Sequence, residues 1–339
     1  MSSNHTHIVG VGSYLPQRVV SNAELATRVD TTDQWIVERT GIRQRHLAAD
    51  GERTSDLASH AARQALAVAG ITIDDIDALV VATTTPDLIF PSTAAIVQSK
   101  LGGSGSPVWD IQAVCAGFVY GLAQLDAMMR SGMFRRVLLI GAETMSSILN
   151  WDDRATCVLF GDGAGAVVLE SRADGGGVIG SVLHGDGSYR DLLKAEYGSD
   201  ASQERPDFHT DAAGVAAIEM RGNEVFRMAV KSLGSVIAEV LAAHDLAESD
   251  IDWLVPHQAN LRIINAIAKR LTMPQERVAI TVGFHANTSA ASVPLALAHL
   301  YQQGKLQPDQ LLLLESFGAG FVWGANLVRW SLSKYDGVM

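Results

Sequence analysis

The chain has 339 residues, 47% apolar and 19% charged, which allows a sizeable buried core and excludes disordered and fibrous compositions. A net charge of −11 without a long basic run argues against a nucleic-acid partner, although an acidic bulk still permits a local basic mouth for an anionic substrate. The start, MSSNHTHIVGVGSYLP, lacks the basic-then-apolar order of a secretory signal, no run of 18 apolar residues offers a membrane span, and two cysteines cannot form a disulfide framework, so a soluble protein of the reducing cytoplasm is expected.

Along the chain, short apolar runs alternate with amphipathic patterns. GVGSYLP (10–16) carries part of a dinucleotide fingerprint, but Leu15 stands where the third glycine belongs and Pro16 would interrupt the helix that the motif needs. SDLASHAARQALAVAG (55–70) reads as a helix and ALVVATT (78–84) as a buried strand. PVWDIQAV (107–114) leads into the apolar helix AGFVYGLAQLDAMM (116–129), and RRVLLIGAE (135–143) and GAVVLES (165–171) are strands, with GDGAGA read as a tight turn between strands. The polar, turn-rich stretch at about 184–213 reads as an excursion or flap. GNEVFRMAVKSLGSVIAEVLAAH (222–244) and LRIINAIAKRLT (261–272) are helices, while DWLVPHQ (252–258) and QLLLLESFG (310–318) are strands. The alternation predicts α/β layers with buried sheets.

An internal repeat is visible. AARQALAVAGITIDDIDALVV (61–81) resembles VIAEVLAAHDLAESDIDWLVP (236–256), and VCAGFVYGLAQLDAMM (114–129) resembles ANTSAASVPLALAHLY (286–301). The chain is thus expected to be two copies of one α/β unit, residues 1–175 and 176–339, with Cys115 and Asn287 facing one shared site across a pseudo-twofold axis.

Cys115 stands at a strand-to-helix junction, where the helix dipole favours a reactive thiolate and the small Ala116 and Gly117 would leave room for substrate. A packed, inert thiol is the competing reading, and the local sequence leaves both open. Cys157, among strand formers in RATCVLFGDG, reads as packed. His257 lies where an apolar strand gives way to a helix near Asn260, the end at which α/β sheets carry their sites. Asn287 precedes another helix, and an ordinary cap is its structural alternative. His285 is the other candidate imidazole. Cys, His and Asn together suit acyl chemistry, with a sulfur nucleophile, an imidazole that manages protons, and an amide donor to a carbonyl oxygen. Their order mimics a papain-like protease, but its C-G-[SA]-C-[WY] pattern is missing and the duplicated α/β pattern is wrong for it; transfer between thioesters fits better. The ten histidines show no metal spacing.

Taken together, VCAGF around Cys115, VPHQANLRI around His257, NTSAASVP at Asn287, TTDQWIVERTGIRQRH (31–46), GDGAGAVVL and ESFGAGFVWG resemble the 3-oxoacyl-[acyl-carrier-protein] synthase III family nearly end to end. The resemblance implies the thiolase fold, an α/β architecture of duplicated βαβαβαββ halves in five αβαβα layers, in a homodimer. It implies condensation of a short acyl-CoA, commonly acetyl-CoA, with malonyl-acyl carrier protein, needing no metal and no cofactor beyond the CoA substrate. Cys115 would take the acyl group, His257 and Asn287 would hold the malonyl thioester carbonyl, and the amides of Cys115 and Ala319 would form the oxyanion hole. Trp35 and Arg154 would sandwich the CoA adenine, Arg39 would meet a CoA phosphate, and Asn223 and Asn260 would face pantetheine. Phe90 would close the acyl pocket across the dimer interface. Arg227, Arg262, Lys269 and Arg270 would form a basic rim for the carrier protein. Ala319 stands where some members carry Gly, and TVGF (281–284) departs from the family pattern and bears on substrate detail. Two alternatives remain: a secondary-metabolite condensing enzyme of the same fold, of alkylquinolone or polyketide-starter type, and a non-catalytic carrier-protein-binding homologue.

Overall fold

The structure, a computed structural model, describes residues 4–195, 217–333 and 335. Strand β1 (His5–Tyr14) is followed by a small antiparallel pair, β2 (Arg18–Ser21) and β3 (Gln44–Leu47). With β1, the strands β4 (Ala78–Ala82), β5 (Val108–Ile111), β6 (Arg136–Thr144) and β7 (Asp162–Arg172) form one sheet in the order β1-β7-β6-β4-β5. Next come β8 (Gly177–Gly185), the short pair β9 (Leu193–Ala195) and β10 (Ile218–Met220), then β11 (Trp253–Pro256), β12 (Leu311–Gly318) and β13 (Val322–Arg329). The second sheet runs β11-β12-β13-β8. The first sheet draws its strands from residues 5–172 and the second from 177–329.

The internal repeat is visible in the strand pairing. Ala78 pairs in parallel with Val137 and Trp253 pairs in parallel with Leu312, each partner displaced by 175 positions (78 to 253, 137 to 312). Asp77 accepts from the amides of Arg135 and Arg136 at 2.7 and 2.8 Å, and Asp252 accepts from the Leu311 amide at 2.8 Å. The repeated Asp-Ile-Asp is therefore a device that holds the start of the neighbouring strand. The counterpart of β5 in the second half is reduced to a single parallel bridge, Leu254 to Val278.

Three apolar clusters separate five layers. The helix Thr54–Ala69 puts Leu57, Ala58, Ala61, Ala62 and Ala65 on one stripe against the outer face of the first sheet. The helices Gly117–Arg130 and Ser292–Gln302 lie between the sheets, and the second is buried nearly all round, as a fully enclosed helix must be. The helices Gly222–Ala242 and Leu261–Arg270 cover the far face of the second sheet. This is the αβαβα order that the family resemblance implied. Among the described residues, no helix is long and apolar enough to cross a membrane.

Two local readings need correction. GDGAGA is not a turn between strands: its residues from Asp162 on belong to β7, because both edges find partners, Gly165 pairing with Ser13 on one side and Gly141 on the other. Cys157 is fully buried, but in a series of turns ahead of β7 rather than in a strand. Of the expected flap, 196–213 lie outside the described residues, while 184–195 pass through the turn Gly187–Leu192 into β9, which pairs with β10.

The Asp77 and Asp252 contacts make a prediction. Each replacement by Ala removes strand-start hydrogen bonds worth about 1 kcal/mol apiece. Asp77→Ala, which loses two acceptor contacts, should lower the urea midpoint more than Asp252→Ala, with the denaturant slope unchanged for both.

Candidate active site

Cys115 lies in the turn Val114–Ala116, between β5 and the helix Gly117–Arg130. The residue before it, Val114, sits at φ +47, a left-handed backbone that a β-branched side chain adopts only when its surroundings impose it. β12 of the other half is part of that imposition. The Ser316 hydroxyl donates to the Cys115 carbonyl oxygen at 2.7 Å, and a Cβ on Gly318 would stand 2.9 Å from the Cys115 amide nitrogen. The thiol is 5% exposed, and burial pushes it up to about 12. The thiolate expected from the helix dipole is thus not the resting state, because desolvation outweighs the partial charge at a helix start. Nor do the small neighbours make room for substrate. Ala116 is fully buried, and a Cβ on Gly117 would press on Ala82 at 3.1 Å and on Ala290 at 3.4 Å, so both residues make room for the protein's own packing.

His257 directly follows β11, and its amide continues the pairing by donating to the Glu315 carbonyl oxygen at 2.8 Å. Burial lowers the imidazole to about 3, so it is neutral. Its Nδ1 meets the Ser292 hydroxyl at 2.6 Å, and the same hydroxyl oxygen accepts from the Gln258 amide at 3.3 Å. We assign the Ser292 O–H as the donor to Nδ1. The ring proton then resides on Nε2, which becomes a donor towards the cavity. The ring stands edge-on to Phe317, with centroids 5.6 Å apart.

Asn287 is fixed from the first half. Its amide donates to Leu159 O and its carbonyl accepts from the Gly161 amide, both at 3.0 Å. Its Oδ1 accepts from the Ser289 amide at 2.9 Å, which leaves the side-chain NH₂ as the group to offer a ligand. Ala286 at φ +60 and Ser289 at φ +49 flank it in left-handed conformations. His285 is buried against Phe284 and His299 and lines neither cavity at Cys115, so the competing imidazole is displaced from the site.

Two cavities meet at the thiol. One, of about 410 Å³, brings together Cys115, His257 and Asn287 and opens past Trp35, Arg39 and Asn223. The other, of about 160 Å³, is mostly apolar and is lined by Cys115, Met145, Ile148, Phe160, Ile218 and Ala319 among others. At the outer end of the first, the Arg39 and Arg154 guanidiniums lie 4.4 and 5.0 Å from the Trp35 ring centroid. Arg154 also donates to Asp30 O at 2.6 Å. Asn260 caps the helix Leu261–Arg270 through the Arg262 amide and donates to Arg39 O, so most of its amide is committed to structure. Arg227, Arg262, Lys269 and Arg270 are exposed on the two outer helices, with Arg262 over the Phe226 ring. Phe90 is 82% exposed and lines neither cavity, so a single chain does not bring it to the thiol. Among the described residues, no three His, Cys, Asp or Glu side chains are grouped to hold a metal ion.

Sequence reasoning missed several residues. Ser292, which sets the imidazole tautomer, looks like a routine helix-start serine. Arg45 is fully buried, has no carboxylate partner among the described residues, donates to Val20 O, Asn22 Oδ1 and Val158 O, and is held down to about 10 by burial. It ties the β2–β3 pair to the cavity wall at Val158. Glu315 is buried with Oε2 unpartnered, and burial raises its carboxyl to about 8, so it is uncharged at neutral pH.

Duplicated α/β halves with a cysteine, a neutral imidazole and an amide at their junction define a condensing enzyme of the thiolase fold. Residues 109–187 match the family profile "3-Oxoacyl-[acyl-carrier-protein (ACP)] synthase III", and residues 241–330 match that family's C-terminal profile. The chain is 52% identical over 327 residues to the beta-ketoacyl-[acyl-carrier-protein] synthase III of Thiobacillus denitrificans, covering 96% of this chain and 99% of that one. The crystal structure of 3-oxoacyl-[acyl-carrier-protein] synthase III from Aquifex aeolicus superposes with a TM-score of 0.89 at 40% identity, over 96% of this chain and all of that one. The priming beta-ketosynthase of the R1128 polyketide pathway superposes at 0.90 with 34% identity, over 97% of each chain. The chain belongs to the 3-oxoacyl-[acyl-carrier-protein] synthase III family and is an acyltransferase of the condensing type.

The buried network carries two predictions. Nitrogen NMR of labelled histidine should find the His257 proton on Nε2, and Ser292→Ala should yield a mixture of tautomers. Glu315 supplies the second. Its folded value, near 8, lies above the ordinary 4.5, so its contribution to stability is complete below pH 4.5 and is lost as pH rises through 8. His257 works in the opposite sense, at pH below about 6.5. Between pH 6.5 and 8, the thermal midpoint should therefore fall more steeply for the parent than for Glu315→Gln.

Proposed function

We propose that the protein condenses a short acyl-CoA, acetyl-CoA foremost, with malonyl-acyl carrier protein, giving 3-oxoacyl-carrier protein, CoA and CO₂ at the start of fatty acid synthesis. The observation that carries this reading is the meeting of two cavities at Cys115 with two oriented N–H donors beside it. Pantetheine enters through the larger cavity and the acyl chain lodges in the smaller, apolar one. Cys115 attacks the thioester carbonyl and CoA leaves. The Cys115 and Ala319 amides receive the oxyanion. Malonyl thioester then takes the vacated cavity, where the His257 Nε2–H and the Asn287 NH₂ donate to its carbonyl oxygen. Those donors stabilise the enolate left as CO₂ departs, and the low dielectric around them strengthens the effect. The carbanion attacks the acyl-Cys115 carbonyl and expels the thiolate. Loss of CO₂ drives the condensation without a metal or an added cofactor.

Other assignments come from the family resemblance, with placement in support. CoA adenine stacks between the Trp35 ring and the Arg154 guanidinium, which lies 5.0 Å from the ring centroid, and Arg39 meets a phosphate. Asn223 meets pantetheine at the cavity mouth, whereas Asn260 holds the Trp35 helix in place. The exposed Arg227, Arg262, Lys269 and Arg270 receive the acidic carrier protein. A second copy of the chain pairs along β5 and brings its Phe90 to the mouth of the acyl cavity. The setting is cytoplasmic. The likeness to the polyketide priming ketosynthase supports a second reading, in which the same chemistry serves a secondary-metabolite pathway.

Acetyl-CoA and malonyl-carrier protein should give acetoacetyl-carrier protein, with an acetyl group on Cys115 by mass spectrometry; no product and no acetylation would overturn the reading. Malonyl-CoA outperforming malonyl-carrier protein would favour the second reading. Cys115→Ala should abolish acylation, whereas His257→Ala and Asn287→Ala should keep acylation and lose about 10²-fold or more in CO₂ release, the usual effect of deleting an oxyanion donor.

A further inference from the structure

The resting Cys115 thiol is neutral and His257 does not explain how it is deprotonated, since the Nε2 that faces the cavity already carries its proton. A second buried group lies behind Thr84, which lines the smaller cavity with Cys115. Glu143, at the end of β6, is fully buried and accepts five hydrogen bonds: from Thr83 Oγ1, the Thr84 amide and hydroxyl, and the Thr85 amide and hydroxyl, at 2.6 to 3.1 Å. Four of the five fall on Oε2. Among the described residues Oε1 receives only the Thr84 hydroxyl, which leaves it capacity for another donor.

The turn Ser289–Ala291 contacts both the Val114–Ala116 turn that carries Cys115 and β6, which ends at Glu143 and Thr144. The Ser289–Ala291 turn is wedged against both partners: a Cβ on Gly141, two residues before Glu143, would stand 2.4 Å from Ala290 O, and one on Gly117, two residues after Cys115, would stand 3.4 Å from Ala290 Cβ. The Ser289 side chain is fully buried and its hydroxyl completes no well-aligned hydrogen bond. Even so, that hydroxyl is close enough to draw down both the thiol and the Glu143 carboxyl, each of which burial raises. The backbone holds Ser289 at φ +49 to keep it there. The five donors hold Glu143 as a carboxylate against burial, so a buried hydroxyl near it and near the thiol, aligned with neither, has the geometry of a relay that tightens when substrate enters.

We propose that Ser289 and Glu143 form the path by which the Cys115 thiol loses its proton. As the sulfur attacks the acyl-CoA carbonyl, its proton passes to the Ser289 oxygen while the Ser289 hydroxyl proton passes to Glu143 Oε1. The bond from sulfur to the acyl carbon forms, the bond to CoA breaks, and CoA leaves as a thiolate that takes its proton from solvent through the larger cavity. When condensation expels the Cys115 thiolate, the same path returns the proton from Glu143. Each turnover then consumes one solvent proton, as decarboxylative condensation requires. The surrounding titratable groups do not compete for the thiol proton. His257 and Glu315 are buried and uncharged, Asp162 is held by Ser146 and the Ala48 amide, and Lys194 at the rim of the smaller cavity stands 3.7 Å from Glu219.

The proposal rests on Cys115 being the nucleophile, and its test keeps the two apart. Iodoacetamide labelling of Cys115, located by peptide mass spectrometry, reads thiolate formation without any substrate. The parent should label with a shallow dependence on pH from 6 to 9. Ser289→Ala, which leaves the core volume almost unchanged, should label about 10²-fold more slowly at pH 7 and gain about tenfold per pH unit, as an unassisted thiol does. Glu143→Gln, if its thermal midpoint shows it folded, should behave alike; if it does not fold, Ser289→Ala decides. Labelling of Ser289→Ala at the parent rate and profile, or a tenfold-per-unit rise in the parent itself, overturns the relay. A parent that labels as expected but takes no acetyl group from acetyl-CoA instead overturns the nucleophile assignment.

Discussion

The Ser316 hydroxyl on the Cys115 carbonyl oxygen, 2.7 Å across the junction of two sheets, is the contact on which the site depends. It fixes a first-half nucleophile to a second-half strand. The reciprocal contact runs the other way, where Asn287 of the second half is bridged to Phe160 and bonded through its backbone to Leu159 and Gly161 of the first. Each half thus helps to fix the other's reactive side chain. Backbone strain gathers at the same junction. Val114, Ala286 and Ser289, three of the six non-glycine residues with positive φ among the described residues, flank Cys115 and Asn287. Such conformations cost about 1–3 kcal/mol each and persist only where the surroundings over-determine them. Two packed sheets supply that constraint, which a loop on a single sheet could not.

Dryness is the second consequence of this crossing. Cys115, His257 and Asn287 are each 3–6% exposed, and burial shifts Cys115, His257 and the nearby Glu315 towards their neutral forms. A site built this way holds little charge at rest and develops it only during reaction. The neutral imidazole can donate from Nε2 without carrying a positive charge that would have to be solvated. The five donors on Glu143 equip the interior to hold a negative charge, and one of them, Thr84, lines the smaller cavity with Cys115. Opposing desolvation with hydrogen bonds at one buried carboxylate is the physical alternative to a preformed thiolate.

Much of this could be read from the chain. The apolar runs became strands with ends shifted by at most three residues, because buried strands with helices on both faces need continuous apolar sequence. Asp77 and Asp252 betrayed the duplication because each performs the same strand-start contact. Cys115, His257 and Asn287 were legible from their places at strand-to-helix junctions. What stayed hidden depends on tertiary enclosure. Ala116 and Gly117 suggest space for substrate, yet the space is taken by Ala82 and Ala290. The helix dipole suggests a thiolate, yet burial reverses the balance. GDGAGA suggests a turn because glycine is permissive, yet two neighbouring strands claim it. Ser289 and Glu143 lie 146 positions apart (143 to 289) and carry no local signal of their meeting.

The duplication is also incomplete, and the difference falls at a sheet edge. In the first half β5 is a full strand, paired with β4 on one side only among the described residues; in the second its counterpart shrinks to the Leu254–Val278 bridge. An unpaired strand edge is a template for another chain unless it is covered. The loop carrying Leu88, Ile89 and Phe90, exposed by 44, 87 and 82%, belongs to that same half. Surface side chains of this size in a contiguous run are characteristic of an interface. The first half thus bears both the nucleophile and the open edge, while the second bears the oriented donors and closes its edge early. A twofold pairing along β5 would bury the edge and the Ile89–Phe90 loop together. In the proposed dimer it would also bring Phe90, which lines neither cavity of its own chain, towards the partner's acyl cavity.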